Sequence, residues 1–297
     1  MLTKTVEDYN KKIKRAIFKR TLSKIGIYFA LSLVALCILA PLYVVLITSF
    51  KTKAEAMDPS FTFWPKEFDL HGYIEVFTYT SGGDEIPSVI RGFINTMIIC
   101  IPTSIVGTLV SALAAFAFSK IKFKSKNVLF TTLLVTMMIP GTISMIPSYI
   151  IFDSIGWTDS FLPLIIPGLF GSASCVFFMR QFFFSIPNEL MECSQIDGLG
   201  NFGIFLRVIL PLSVPALIAQ FLLSFVGTYN AYLSPLIYLQ SPDNYTLQIA
   251  LNFFRGTYQT DWAVVMAGAA VSLLPTMILF LFGQKYFIDG IATTGIK

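Results

Sequence analysis

The chain has 297 residues, of which 55% are hydrophobic and 13% are charged, and its formal net charge is +4. Soluble globular domains carry about 25% charged residues, so this composition excludes soluble enzymes, DNA-binding domains and disulfide scaffolds. The basic residues lie in the N-terminal segment and in short loops, so no nucleic-acid partner is predicted.

Six long stretches contain no Asp, Glu, Lys or Arg and together make up more than half of the chain. They cover residues 25–50, 92–119, 127–152, 160–179, 208–242 and 262–284. A transmembrane helix needs about 20 mostly apolar residues, so each stretch predicts one crossing. The sequence therefore predicts an all-α integral membrane protein with six transmembrane helices.

The predicted organisation starts with a basic segment, 1–24, and a first transmembrane helix, 25–50. That helix is longer than the apolar core of a signal peptide, which has about 7–15 residues, so it is expected to be retained. The next segment, 51–91, carries seven acids and seven aromatic residues and predicts a small ordered cap on the outer membrane surface. Residues 92–284 form the transmembrane core with helices 2–6, and 285–297 form a tail.

The distribution of Lys and Arg predicts the orientation. Eight of them precede residue 25, and the loop after the second stretch adds Lys120, Lys122, Lys124 and Lys126 without any acid. With both termini inside, 16 of the 21 basic residues lie on the inner side. Because cytoplasmic loops carry an excess of Lys and Arg, the chain is expected to be a multi-pass protein of the cytoplasmic membrane with its N- and C-termini inside.

Prolines and the absence of charge indicate the kind of activity. Eleven prolines lie within the stretches, one of them at the very end of 208–242, whereas no ionisable Asp, Glu, Lys, Arg or His does. Prolines kink helices, and broken helices line cavities in transporters, although prolines are also common in membrane helices generally. Without intramembrane charges, proton-coupled transport is disfavoured, and no catalytic residue or metal site is predicted. Energy for uphill transport would have to enter from outside the membrane.

The cytoplasmic loop 180–207 is the most informative segment. Glu189 and Glu192 lie one turn apart just after a proline, where acids favour the start of a helix, and Asp197-Gly198 is a turn signal that ends it. A helical lead-in to the fifth span is predicted from the spacing of Leu199, Phe202, Leu206 and Ile209. These features predict a short, exposed, acidic helix, which by itself could be an ordinary connector.

This segment closely resembles the EAA cytoplasmic loop of ABC importer permeases. The family pattern of Glu, two small residues, Asp-Gly and Leu-Pro falls on Glu192, Cys193, Ser194, Asp197, Gly198, Leu210 and Pro211. Cys193 and Ser194 stand where the family usually has two alanines, and both are small. Further similarities lie at Asn95-Thr96, 114–118, 138–140, 180–183 and 286–290. Together they resemble the carbohydrate-uptake branch, whose members are similar to the maltose permease subunit with six spans.

The resemblance implies a type I ABC importer permease that translocates a sugar. Its ATPase-coupling residues would be Glu189, Glu192, Cys193, Ser194, Asp197 and Gly198. The implied partners are a second homologous permease, a cytoplasmic ATPase dimer and an extracellular solute-binding protein, besides the sugar and membrane lipid. The chain has no G-x-x-x-x-G-K-[ST] loop, so no cofactor is expected on it, and ATP and Mg are expected on the ATPase. An importer of a non-sugar solute and, more distantly, a channel or scaffold remain alternatives.

A polar and aromatic cluster in the fifth stretch is the candidate substrate path. Aromatic, amide and hydroxyl groups suit sugar binding, which favours Tyr229, Asn230 and Tyr232, with Met138, Ser144 and Ser148 as weaker candidates. The tyrosines could equally anchor at the membrane interface, and Asn230 could bond a neighbouring helix. A helix break at Pro235 is expected to open the chain beside Asn230.

Overall fold

The structure, a computed structural model, describes the backbone of residues 2–80, 86–253 and 261–292 and the side chains of 18–80, 86–252 and 261–285. Within these ranges the chain is helical and has no β-strand. The first half contains α1 (Leu2–Thr48), α2 (Lys53–Met57), α3 (His71–Thr78), α4 (Ser88–Lys120), α5 (Lys126–Thr136) and α6 (Gly141–Ser154). It continues with α7 (Leu162–Leu169), α8 (Ala173–Ser185), α9 (Glu189–Ile196), α10 (Asn201–Ile204), a π-helix (Phe205–Ile209), α11 (Leu210–Leu212) and α12 (Val214–Tyr229). The last part contains α13 (Leu233–Tyr238), a 3₁₀ turn (Pro242–Asn244), α14 (Leu247–Phe253) and α15 (Trp262–Ala292).

Length and composition identify the membrane-spanning elements. Four described segments are long and apolar enough to cross a membrane: Phe18–Thr48, Ser88–Lys120, Leu162–Ser185 and Trp262–Lys285. Two further pairs of helices meet the same criterion only together, because each is bent, α5 with α6 by 93° and Asn201–Leu212 with α12 by 81°. Counting each bent pair as one span gives six spans in the described part of the chain. The predicted all-α membrane fold is confirmed.

The third span consists of two helices bent against each other, whereas its composition predicts one continuous helix. α5 ends at Thr136, and α6 begins after Pro140. A proline has no N–H to continue the helical ladder, and it disfavours helical geometry in the preceding residue. Ile139-Pro140 therefore separates the two arms.

The fifth apolar stretch, 208–242, also contains a break after α12, and the expected break at Pro235 is wrong. α12 ends at Tyr229, the chain passes through residues 230–232, and α13 begins at Leu233. Pro235 lies in the first turn of α13, where a missing N–H costs no helical hydrogen bond. The break therefore precedes the proline, and the proline starts the next helix.

The helices pack around α4, which contacts α7, α8, α12 and α14, while α15 packs against α12, α3 and α1. One buried cluster joins the C-terminal half of α4 to α8, α9 and the π-helix, with Phe116, Met179 and Phe183 almost completely buried. A second cluster joins α3, α4, α12, α14 and α15. The loop 180–207 therefore shares one hydrophobic core with the membrane helices.

Residues 51–80 form an ordered cap with α2 and α3. Lys51 is only 2% exposed; its Nζ donates to the Thr62 carbonyl at 2.8 Å and lies 4.4 Å from the Phe61 ring centroid. His71 Nε2 lies 3.1 Å from Asp261 Oδ2, just before α15. These contacts attach the cap to the start of the last span.

Candidate functional site

The predicted acidic helix is α9, and its polar face is open to solvent. Glu189 and Glu192 lie in its first turn, where negative charge is favoured by the helix dipole. Both are exposed, as are Cys193 and Asp197. Ser194 faces the opposite way: it is buried, and its hydroxyl donates to the Leu190 carbonyl at 2.6 Å. The two small residues of the motif thus have different surroundings, Cys193 outward and Ser194 in the core.

The end of α9 is a Schellman motif built on Gly198. Gly198 has φ +84°, its N–H donates to the Gln195 carbonyl, and the N–H of Leu199 donates to the Ser194 carbonyl, both at 3.0 Å. The left-handed conformation required at this position is the one that glycine adopts without steric strain. Gly198 thereby ends the helix and sets the direction of the chain toward α10.

Ile196 is a feature of this helix that the sequence reasoning missed. Its side chain is 86% exposed, the most exposed large hydrophobic side chain in the described part of the chain. It lies beside the exposed acids of α9, and Leu190 on the same helix is also exposed, at 40%. The available signal was an apolar residue directly before Asp197-Gly198.

The lead-in to the fifth span is helical, but the residues that it buries differ from those predicted. Phe202 and Leu206 are 62% and 44% exposed, whereas Ile204, Phe205 and Ile209 are buried. The cause is the π-helix Phe205–Ile209, whose wider turn shifts side chains away from the 3.6-residue period. The prediction was correct for Ile209 and wrong for Phe202 and Leu206.

Lys120 connects α9 to the membrane helices. It is the last residue of α4, and its Nζ donates to the Ile186 carbonyl at 2.5 Å and to Asn188 Oδ1 at 2.9 Å. Asn188 is the residue directly before α9, and its own carbonyl accepts from the N–H groups of Met191 and Glu192. One lysine thus bonds both the end of a span and the start of the surface helix.

Two more cations surround the same end of α4. Lys126 Nζ donates to the Ser119 and Ile121 carbonyls at 3.0 Å, and Arg180 Nε donates to the Phe118 carbonyl at 3.0 Å. These carbonyls lack helical partners and carry the negative end of the helix dipole. Lys120, Lys126 and Glu192 line a cavity of about 490 Å³ between this end of α4 and α9.

The candidate path residues of the fifth span do not share one environment. Tyr229 is 1% exposed, stacks on Phe225 and donates from its hydroxyl to the Ser272 carbonyl at 2.9 Å, so in this conformation it is a packing residue. Asn230 is exposed after α12, and its Nδ2 donates to the Val226 carbonyl at 3.0 Å. Tyr232 is 37% exposed and borders an open cavity.

The candidates of the third span lie at its break and on its second arm. Met138 is 80% exposed in the break, and Ser144 is exposed on α6. Ser148, also on α6, is half-buried and hydrogen bonded to Tyr238. They are therefore separated from the Tyr232 cavity, whose lining contains none of them.

The cavity beside Tyr232 has a volume of about 280 Å³ and lies between the chain break, α14 and α15. Two amides on α14 line it: Asn252 Nδ2 donates to the Tyr232 hydroxyl at 3.0 Å, and Gln248 Nε2 lies 3.4 Å from Asn230 Oδ1. Sequence reasoning missed both amides, because nothing local in 247–253 shows that this helix returns to the break.

Asp159 links the loop after α6 to the loop after α13. Its carboxylate accepts from the N–H groups of Gln240 at 2.9 Å and Ser241 at 2.8 Å, from the Ser241 hydroxyl and from Asn244 Nδ2. These hydrogen bonds, chiefly those from Ser241, hold the pKa of Asp159 well below its ordinary value. The ionised carboxylate therefore stabilises the junction of the two loops.

We expect this junction to weaken in acid. Because the pKa of Asp159 is lower in the folded protein than in the unfolded chain, its stabilisation is complete at neutral pH and is lost as the pH falls below about 4. Asp159→Asn keeps the side-chain shape and tolerates the φ of +55° but carries no charge. Thermal unfolding should therefore depend less on pH in Asp159→Asn than in the wild type over this acidic range. Equal pH dependence in both proteins would contradict the assignment.

The described chain is a bundle of helices with two bent spans and a surface helix that is bonded to the end of α4. A family model described as binding-protein-dependent transport system inner membrane component matches residues 107–292. The chain belongs to this family.

Similar proteins and a solved structure support this family membership. The chain is 30% identical to the inner membrane ABC transporter permease protein YcjP of Escherichia coli K12, covering 94% of this chain and 98% of that protein. It is 32% identical to the arabinooligosaccharides transport system permease protein AraQ of Halalkalibacterium halodurans, covering 86% and 90%. The fold matches a bacterial ABC transporter involved in alginate import with a TM-score of 0.77, 23% identity and coverage of 90% and 96%. The chain is thus a transport component and not an enzyme, as the sequence predicted.

Proposed function

We propose that this chain is one permease subunit of an ATP-driven importer that moves a sugar or oligosaccharide across the cytoplasmic membrane of a prokaryote by alternating access. The observation that carries the proposal is α9, an exposed acidic helix that is bonded through Lys120 to the end of a membrane span. The sugar class is supported by the relative named for arabino-oligosaccharide transport and by the alginate importer of similar fold.

In this proposal α9 docks on a cytoplasmic ATPase dimer. The exposed Glu189, Glu192, Cys193 and Asp197 supply the polar contacts, and Ile196 supplies the apolar one. Met191 and Ser194 are buried against the bundle, so a displacement of α9 moves the shared core. ATP and Mg bind on the ATPase, whose closure pushes α9, and Lys120 carries the displacement to α4.

The proposed importer has two further partners. A second homologous permease completes the pathway in the lipid bilayer, and a solute-binding protein delivers the sugar from outside. The basic segment 1–24, the loop 180–207 and the tail 285–297 lie in the cytoplasm, whereas the cap within 51–91 faces outward. The excess of Lys and Arg in the inner segments supports this orientation.

The test of function is transport by the purified complex. A tag on this chain should co-purify an ATPase subunit and a second permease from the native host. In proteoliposomes with the binding protein, ATP should drive uptake of a labelled oligosaccharide such as arabinotriose. A preparation free of any ATPase would favour a channel or scaffold, and ATP-driven uptake of only non-sugar solutes would refute the sugar class.

The orientation can be tested separately with single cysteines. Cys37, Cys100, Cys175 and Cys193 are first replaced by alanine, and Thr78→Cys or Lys122→Cys is then introduced. Both positions are exposed, so the membrane alone should decide their access to an impermeant thiol reagent. Residue 78 should be labelled in intact cells, and residue 122 only after lysis. The reverse pattern would refute the orientation and the cytoplasmic position of α9.

A further inference from the structure

We infer that α14 supplies a subsite for one neutral sugar ring, formed by Gln248 and Asn252 together with Tyr232. This inference rests on the proposed function and assigns the substrate class at a place that the sequence did not indicate. The site is the cavity of about 280 Å³ between the break at 230–232, α14 and α15. This volume is just below the range of about 300–1,000 Å³ for small-molecule pockets, so the cavity suits a single ring, with the rest of an oligosaccharide extending outward.

The lining matches the chemistry of a sugar. Two amides and a phenol stand on one side, and Ser272 on α15 adds a hydroxyl. Amide and hydroxyl groups both donate and accept hydrogen bonds, as sugar hydroxyls do. Leu251, Val265 and Ala269 supply an apolar wall for the C–H face of the ring.

Part of this hydrogen-bonding capacity is unused. Asn252 Nδ2 donates to the Tyr232 hydroxyl at 3.0 Å, and Gln248 Nε2 makes a long contact of 3.4 Å with Asn230 Oδ1. Among the described residues, neither Asn252 Oδ1 nor Gln248 Oε1 accepts a hydrogen bond. Within the described residues, both oxygens can accept from a ligand hydroxyl.

The elements that carry the subsite are firmly held. The N–H of Leu247 at the start of α14 donates to Thr96 Oγ1 at 2.9 Å. Asn95 Nδ2 donates to the carbonyls of Asp243 and Tyr245 at 2.8 and 2.9 Å. On the opposite wall, the Tyr229 hydroxyl bonds the Ser272 carbonyl. These contacts orient the polar groups before a ligand arrives, which reduces the entropy lost on binding.

The charge of the lining selects against acidic sugars. None of the described residues around the cavity is Lys, Arg, Asp or Glu. A carboxylate finds no ion-pair partner among these residues, whereas a neutral ring can use their amide and hydroxyl groups. The subsite should therefore accept a neutral ring and discriminate against a uronate.

The experiment compares Gln248→Leu and Asn252→Leu with the wild type and with Gln240→Leu, whose exposed side chain lies outside the cavity. The complex is tested in proteoliposomes with arabinotriose as the neutral probe and an alginate trisaccharide as the acidic one. Each cavity variant should raise the KM for arabinotriose uptake about tenfold, equivalent to about 1.4 kcal/mol. Basal ATP hydrolysis and complex yield should stay at wild-type values, and Gln240→Leu should behave as the wild type.

The outcomes separate this inference from the proposed function. Wild-type complex that imports neither probe but takes up a non-sugar solute with ATP refutes the sugar assignment and the subsite together. Wild-type uptake of arabinotriose with unchanged KM in both cavity variants refutes the subsite alone. A lower complex yield with normal uptake per complex would assign the amides to packing, and efficient wild-type uptake of the alginate trisaccharide would overturn the neutral class.

Discussion

Gly198→Val is expected to reduce the stimulation of ATP hydrolysis by loaded binding protein at least tenfold. Gly198 has φ +84°, and a Cβ added there would meet no atom within 4 Å, so backbone strain is the only local effect. A β-branched residue in this conformation is strongly disfavoured, with strain of about 1–3 kcal/mol. Relief of that strain undoes the Schellman end of α9 and displaces the surface that we propose to contact the ATPase. Since about 1.4 kcal/mol is a factor of ten, a strong loss of coupling follows.

Gly200→Val is the matched control. Gly200 lies two residues further on, has φ −72° and also has open space where a Cβ would be. It should retain nearly wild-type stimulation, while both variants insert and assemble. ATPase assays on purified complexes with the loaded binding protein measure the difference. Normal stimulated hydrolysis in Gly198→Val would remove the turn from the coupling mechanism.

Gly171→Ala is expected to cause the largest loss of assembled protein. Gly171 follows α7 with φ +81°, and an added Cβ would lie 2.1 Å from Ser111 Oγ and 2.8 Å from the Gly107 carbonyl. Ser111 cannot simply turn away, because its hydroxyl accepts from the N–H of Ser172 at 3.1 Å. Backbone strain and overpacking each contribute about 1–3 kcal/mol. Their sum is a large part of the stability of an ordinary domain, about 5–15 kcal/mol.

Gly156→Ala separates the two effects. Gly156 also has a positive φ, +71°, but an added Cβ would meet nothing within 4 Å. It therefore measures the backbone strain without the collision against α4. Thermal stability and yield of the detergent-purified complex should fall much further in Gly171→Ala. Equal losses in the two variants would show that close packing between α4 and the turn after α7 is unimportant.

The sequence by itself determined the number of spans and the short acidic helix α9. Membrane spans can be predicted from the sequence because every crossing needs a long apolar run, whatever its neighbours are. The bounds of α9 can be predicted because the acids that favour its start and the glycine that ends it, Gly198, exert their effects within one or two turns.

Only the tertiary structure decided which side chains face a cavity, a neighbour or solvent. Tyr229 and Tyr232 have similar composition around them, yet Tyr229 is buried against α15 and Tyr232 borders open space. Gln248 and Asn252 reach the break at 230–232 only because residues far away on α4 hold α14 in place. The partners of Lys120 and Asp159 lie 66 to 85 residues away along the chain. Hydropathy, spacing and capping describe neighbours within a few residues, whereas these contacts depend on how whole helices pack, and that information is carried by the folded bundle.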